Sequence, residues 1–414
     1  MTGRPNVAVI FHSRHGTIYE LARAAARGAF LGGARVRLLR VQDDDPVRPD
    51  IAALRPVGLD DLRWAHGIVL GSPTYYGNVS FPVKRFIDST TSMWSKGELA
   101  DRAVTGLTSA TSRFGGQEAS LLALYHSMYH WGSLIVAAGH ADPALAGDGA
   151  NPFGVSVSAL DDGSVSVRAQ DAAAALGTRL VGVAGRLAAP GTPPPGAAGA
   201  RIAVIYQHGD SQHGDNQHGG MGTTRALATA IAEGARAAGA QVRLRRVGDF
   251  DSGALPGDGE TVATLADLDW ADALAFGTRA IAGGPAPQLT HFLCGAEPLR
   301  AAGRLDGKLA TAFVTADHVH AGSESALLAL YNTMHHWGAV IVAPGYTDPC
   351  LDDAGGNPYG TSCVAPNGAP PGAAVWRAAR FQGGRLAAIA TRLSGQRAAP
   401  DETVMPACPA SGTP

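Results

Sequence analysis

Short continuous apolar runs alternate along the chain with longer stretches patterned for helices. Residues 7–11 (Val-Ala-Val-Ile-Phe) and 202–206 (Ile-Ala-Val-Ile-Tyr) are unbroken apolar runs, as expected of strands buried on both faces. A polar loop follows the first run. Beyond it Leu21, Ala22, Ala25 and Ala29 fall on one helical stripe. Residues 36–41, 67–71, 103–108 and 133–138 read as further strands, and 81–89 and 118–130 as helices. Strands alternating with helices predict right-handed βαβ units and a parallel sheet covered on both faces.

The pattern then repeats. LLALYHSMYHWGSLIV at 121–136 returns as LLALYNTMHHWGAVIV at 327–342, an offset of 206. The same offset pairs Asp142-Pro143 with Asp348-Pro349, Trp64 with Trp270, and Gly16-Thr17 with Gly222-Thr223. Phe11 matches Tyr206 at an offset of 195, so copy two carries eleven extra residues between its first strand and first helix. The expected fold class is α/β: two flavodoxin-like doubly wound domains, each a five-stranded parallel sheet of order 2-1-3-4-5. The divisions expected are 1–189, a Pro/Gly linker at 190–200, a second domain at 201–395, and a frayed tail at 396–414. In that topology a ligand sits beyond the carboxyl ends of strands 1, 3 and 4.

Composition narrows the class. Of the 414 residues 45% are hydrophobic and 16% charged, and the formal net charge is −2, which is globular and argues against nucleic-acid binding. No apolar stretch reaches the roughly 20 residues of a membrane span, and Met1 to Asn6 run straight into a strand without a secretory leader. The four cysteines, Cys294, Cys350, Cys363 and Cys408, have no metal-finger or CxxC spacing. A cytoplasmic setting is expected.

Three loops of copy one leave the strand ends where the topology expects a ligand. The first holds Ser13, Arg14, His15, Gly16, Thr17 and Ile18, hydroxyls and a glycine at a helix start, suited to an anion. It also reads as an ordinary capped helix. The second holds Pro73, Thr74, Tyr75, Tyr76, Gly77 and Asn78, two aromatics able to cover a flat ring, or simply a tight turn. The third holds Thr111, Ser112, Arg113, Phe114 and Gly115, whose polar groups suit the edge of a heterocycle, or cap the next helix.

The chain resembles the WrbA-like, type IV NAD(P)H:quinone oxidoreductases of the flavodoxin-like superfamily. The string Gly71-Ser72-Pro73-Thr74-Tyr75-Tyr76-Gly77-Asn78 carries this best, with Gly115-Gly116-Gln117-Glu118 and Asn151-Pro152-Phe153-Gly154. The resemblance covers nearly all of 5–188 and, more weakly, 201–393. It implies FMN held by the three loops and by His130, NAD(P)H as co-substrate, a quinone or related aromatic as acceptor, and ping-pong two-electron transfer. By the same resemblance, His130, His15 and Trp94 are the catalytic candidates, Trp94 standing where the family has a tryptophan that a neighbouring subunit contributes to cover the substrate pocket. Tyr75 stands where the family has arginine, His15 replaces a tyrosine, and Ser112-Arg113-Phe114 are bulkier than the family's third loop. Dimers and tetramers in the family imply a homodimer of this chain with a tetramer-like assembly.

Copy two keeps the core pattern and loses the loops. The second loop becomes Gly277-Thr278-Arg279-Ala280-Ile281-Ala282-Gly283-Gly284, and Arg300 matches Trp94. This suggests a pseudo-subunit without FMN. It gains His208, His213 and His218 in the insert, and Asp317, His318 and His320 after its fourth strand, a set suited to a divalent metal such as Zn or Fe. The insert also reads as a solvated polar loop. Two other readings therefore remain open: a metal-dependent or metal-binding protein using that crevice, and a non-catalytic flavodoxin-like interaction module.

Overall fold

The run at 7–11 is the heart of β1 (Asn6–Phe11), whose last five residues are fully buried. A computed structural model describes residues 3–145, 150–160, 162–189, 199–207, 222–248 and 261–394. β1 leads into α1 (Thr17–Leu31), and Leu21, Ala22, Ala25 and Ala29 all face the core as their spacing predicts. There follow β2 (Arg35–Arg40), α2 (Pro49–Ala52), α3 (Leu59–Trp64), β3 (Gly67–Pro73), α4 (Phe81–Asp88), α5 (Thr91–Trp94), β4 (Ala103–Ala110), α6 (Gln117–His130) and β5 (Leu134–Val136). Two strands not foreseen in the pattern, β6 (Ala150–Asn151) and β7 (Gly154–Ser158), precede α7 (Val167–Ala188).

The second half repeats the course. It comprises β8 (Arg201–Tyr206), α8 (Thr223–Ala237), β9 (Gln241–Arg246), α9 (Leu265–Trp270), β10 (Ala273–Ile281), β11 (Gly284–Pro285), α10 (Pro287–Cys294), α11 (Glu297–Ala301) and β12 (Leu309–Ala316). α12 (Ser323–His336), β13 (Val340–Ile341), α13 (Pro349–Asp353), β14 (Ser362–Val364) and α14 (Ala373–Ser394) complete it.

The strands run β2-β1-β3-β4-β5 in the first half and β9-β8-β10-β12-β13 in the second, each half parallel and in the expected order. β5 pairs with β4 only at Ala103 and Val104, and β7 takes over beside Leu107 to Ala110. The sequence pattern does not reveal how the halves meet. β5 and β13 pair antiparallel, Val136 opposite Val340 and Ile135 opposite Ile341, so one continuous sheet crosses both copies. The pairing satisfies two edges that would otherwise be open. It also points the carboxyl ends of the two halves in opposite directions.

The contacts across this seam are reciprocal. Arg186 donates to the Leu393 carbonyl at 3.0 Å, and Arg392, its counterpart at the 206 offset, donates to the Leu187 carbonyl. Tyr129 and His335 occupy the same repeat position and share a hydrogen bond of 3.1 Å. On each face of the sheet a single apolar cluster runs from one copy into the other. Within each copy the outer helices touch at glycine. A Cβ on Gly28 would lie 1.9 Å from the Ala174 carbonyl oxygen, and one on Gly234 1.9 Å from that of Arg380. Alanine at either position would drive α1 from α7, or α8 from α14. Among the described residues no helix is long and apolar enough to cross a membrane.

Candidate active site

β1 delivers His12 and Ser13 to the carboxyl edge of the first half. His12 is buried, and its Nε2 lies 2.7 Å from Asp43, which also accepts from Arg14 Nε at 3.0 Å. Burial alone would raise the Asp43 carboxyl, but the hydrogen bonds from Arg14 and His12 outweigh it and hold it at about 2. Burial lowers His12. Arg14 also pairs with Asp45. The Arg14 side chain is thus a strut for the loop, not a free ligand arm.

Ser13 Oγ accepts from the Gly16 amide at 3.2 Å. Gly16 is left-handed at φ 108 and no side chain caps α1, so the first-turn amides are open to an anion. Thr17 is buried beside them, and His15 is exposed at the rim. Ile18 belongs to the core, its Cγ2 under Gly71, and offers only its backbone. The Arg48 guanidinium lies over this loop: a Cβ on Gly16 would stand 2.0 Å from its Nη1. Sequence gave no signal for Arg48, since the approach is long-range and it pairs locally with Asp50.

β3 carries the second loop. Tyr75 and Asn78 exchange backbone hydrogen bonds of 2.9 Å around Tyr76 (φ 51) and Gly77 (φ 75), a type I′ hairpin. Tyr75 is exposed and Tyr76 entirely so, while Thr74 Oγ1 lies 3.0 Å from Thr108 Oγ1. Pro73 ends the strand.

β4 carries the third loop, from Thr111 to Gly115, exposed throughout. Gln117 pins it by donating to the Ser112 carbonyl at 2.8 Å and the Arg113 carbonyl at 3.2 Å. Loops two and three touch at Gly77 and Gly116. Arg113 and Phe114 line a cleft toward β7 and α7 whose wall includes no residue of the other two loops.

His130 and Trp94 are not part of this crevice. α6 starts at the third loop and runs about 20 Å to His130, at 1.5 Å per residue, so His130 stands at its far end. There Trp94 Nε1 donates to the His130 carbonyl at 2.9 Å. Both side chains line a slot of about 340 Å³ with His126 and Trp131. The His130 ring packs on Tyr346 and Tyr359 of the second copy. Within one chain, then, neither side chain stands among the three loops.

In copy two, Arg279 and Asp317 occupy the repeat positions of Pro73 and Thr111. Arg279 Nη2 donates to both carboxylate oxygens, at 2.8 and 2.6 Å, bridging the two loops. Between them and Thr223 and Thr315 remains a cavity of about 10 Å³, room for one water. The metal reading loses its carboxylate, since Asp317 is held by Arg279. His318 and His320 are exposed, and the described residues contain no cluster of three or more ligand side chains. His208, His213 and His218 lie outside the described residues.

A family profile described as NADPH-dependent FMN reductase matches residues 5–141. A Deinococcus radiodurans protein named NAD(P)H dehydrogenase (quinone) is 35% identical over 187 residues, 41% of this chain and 94% of that protein. The chain belongs to this family of NAD(P)H dehydrogenases (quinone). A Sinorhizobium fredii member of the same name is 35% identical over 197 residues, 44% of this chain and 98% of that one. Among solved structures, a WrbA-like flavodoxin from Agrobacterium tumefaciens aligns at 23% identity with a TM-score of 0.34, over 46% of this chain and 97% of its own. Each relative is thus matched nearly end to end by less than half of this chain.

The crevice of copy one fits FMN, the family's flavin. The uncapped α1 amides, with Ser13 and Thr17, suit a phosphate, and the Arg48 guanidinium, itself paired with Asp50, lies against the same loop. The exposed faces of Tyr75 and Tyr76 and the open backbone of loop three suit a planar ring. Replacing Asp43 by asparagine is expected to loosen His12 and Arg14 together and to weaken FMN several-fold, as read by fluorescence titration.

Proposed function

We propose that the chain is an FMN-dependent NAD(P)H:quinone oxidoreductase, working by ping-pong two-electron transfer, with one flavin site in copy one and copy two as a pseudo-subunit. The observation that carries this reading is the convergence of the β1, β3 and β4 loops on one crevice beside an uncapped helix start. Bound FMN would supply the redox step between NAD(P)H and the quinone.

The chain's own part is positioning. Ser13, Thr17 and the first amides of α1 hold the phosphate. Thr74 to Asn78 border one side of the ring, and Thr111, Ser112 and Gly115 the other. His15, exposed on the first loop, would be the residue that interacts with the oxygen of a reduced acceptor. Copy two contributes the antiparallel sheet edge that a second subunit would otherwise provide, and its Arg279–Asp317 pair fills its own crevice. Two chains would rebuild a tetramer-like assembly, in which the Trp94–His130 slot comes over another chain's flavin.

The test is steady-state quinone reduction by the FMN-loaded protein. Parallel double-reciprocal plots are expected. The Thr74→Ala/Asn78→Ala variant should lose at least tenfold in kcat/KM, whereas His318→Ala/His320→Ala should change nothing. A chain that takes up no FMN, or activity that follows the two histidines, would contradict the proposal.

A further inference from the structure

A roomy cleft among the described residues lies beside the three loops, and no residue of loops one or two lines it. It measures about 780 Å³ and opens between loop three, β7 and the start of α7. Arg113 and Phe114 belong both to loop three and to its wall, and Gly116, at the start of α6, lines it as well. The bulk at Arg113 and Phe114, which stands out in the sequence, therefore builds this second site instead of narrowing the first. In copy two the same positions are Val319 and His320.

Its walls combine three chemistries. Phe114 is 90% and Leu160 56% exposed, so two large apolar side chains border the cleft with open faces. Flat aromatic ligands cover such faces. Arg113 supplies a cation beside the Phe114 ring, 5.8 Å from guanidinium carbon to ring centre. Hydroxyls of Ser156, Ser158 and Ser164 line the cleft, and the first turn of α6, which no side chain caps, borders it, whereas Ser166 caps the start of α7 by accepting from the Ala169 amide at 3.2 Å. The volume lies in the roughly 300–1,000 Å³ range of ligand sites.

We propose that this cleft receives the adenosine-phosphate end of the nicotinamide donor. The adenine lies between Phe114 and Leu160, a phosphate meets Arg113 and the uncapped start of α6, and Glu118 at the rim accepts a ribose hydroxyl. The shared loop three lets one dinucleotide reach from this cleft to a flavin in the neighbouring crevice. The assignment of the donor rests on the quinone oxidoreductase reading; the adenylate site itself does not.

Calorimetric titration of AMP and 2′,5′-ADP into the full-length protein as purified, with its FMN content measured, tests this. Wild type should bind both. Arg113→Ala should weaken 2′,5′-ADP at least tenfold, and Phe114→Ala should weaken both probes at least fivefold, with FMN content unchanged. In turnover the KM for NAD(P)H should rise by similar factors, with the quinone KM unmoved. Absence of probe binding to wild type at millimolar concentration, equal affinities in wild type and variants, or loss of FMN from the variants would overturn the proposal. Probe binding without quinone reduction would keep the cleft and discard only the donor and its reaction.

Discussion

Replacing Gly116 by valine is expected to strip FMN from the chain. Gly116 starts α6 in the left-handed conformation, φ 96 and ψ 21, which a β-branched residue adopts at a cost of roughly 1–3 kcal/mol. Its Cβ would stand 2.9 Å from Gly77 Cα and 3.3 Å from Thr74 Cγ2. These are main-chain and short side-chain atoms, so loops two and three must part. The FMN dissociation constant should rise at least tenfold, measured by flavin fluorescence. Gly322→Val is the control. It has the same backbone at φ 93, and its Cβ would lie 2.6 Å from Gly283 Cα. It should lower the melting temperature comparably and leave FMN bound. Equal loss of flavin in both variants would contradict a single site in copy one.

The seam between the copies should be the other sensitive point. Tyr129 and His335 face each other from identical repeat positions, both buried, against Tyr331 and Tyr359 on one side and Tyr125 and Phe153 on the other. Two tyrosines there would crowd the packing, whereas a tyrosine and an imidazole fit and bond. Tyr129→Phe leaves the His335 nitrogen without its partner and should cost about 1–3 kcal/mol in chemical denaturation. His335→Tyr should cost a similar amount by overpacking. The exchange Tyr129→His/His335→Tyr should recover most of either loss, and failure to do so would show that the pair is not matched.

The same histidine predicts an acid response. Burial, reinforced by the neighbouring His336, pushes His335 down to about 3. Its folded value lies below the ordinary 6.5, so the unfolded chain binds the proton first. Stability is therefore full above about pH 6.5 and falls toward pH 3, by about 1.4 kcal/mol per pH unit for this one group. Asp43 acts in a separate window. Its folded value of about 2 lies below the ordinary 3.8, so its contribution is lost only below about pH 4. His335→Gln should flatten the slope between pH 6.5 and 4.

Much of this was legible in the sequence. The strand order, α1's buried stripe and the three loops follow from local periodicity and from the repeat. The 2-1-3-4-5 order then fixes which loops leave the same edge. The rest depends on contacts between distant segments. Nothing in Leu134-Ile135-Val136 says that it pairs antiparallel with Val340-Ile341. The resemblance implied that His130 touches the flavin, yet α6 carries it a helix length from the loops of its own chain, a displacement visible only once that helix has its direction. Arg48 over Gly16 and Arg279 on Asp317 are side-chain reaches across loops, which no spacing rule encodes. Arg113 and Phe114 were legible as departures from the family loop, but not the side to which they turn.

The most direct test of the account is FMN bound per chain, measured by titrating the flavin-stripped full-length protein and counting equivalents at saturation. One is expected, because copy one presents an open crevice and the Arg279–Asp317 pair closes that of copy two. Two equivalents would contradict the closed second crevice, and none would contradict the flavin site itself.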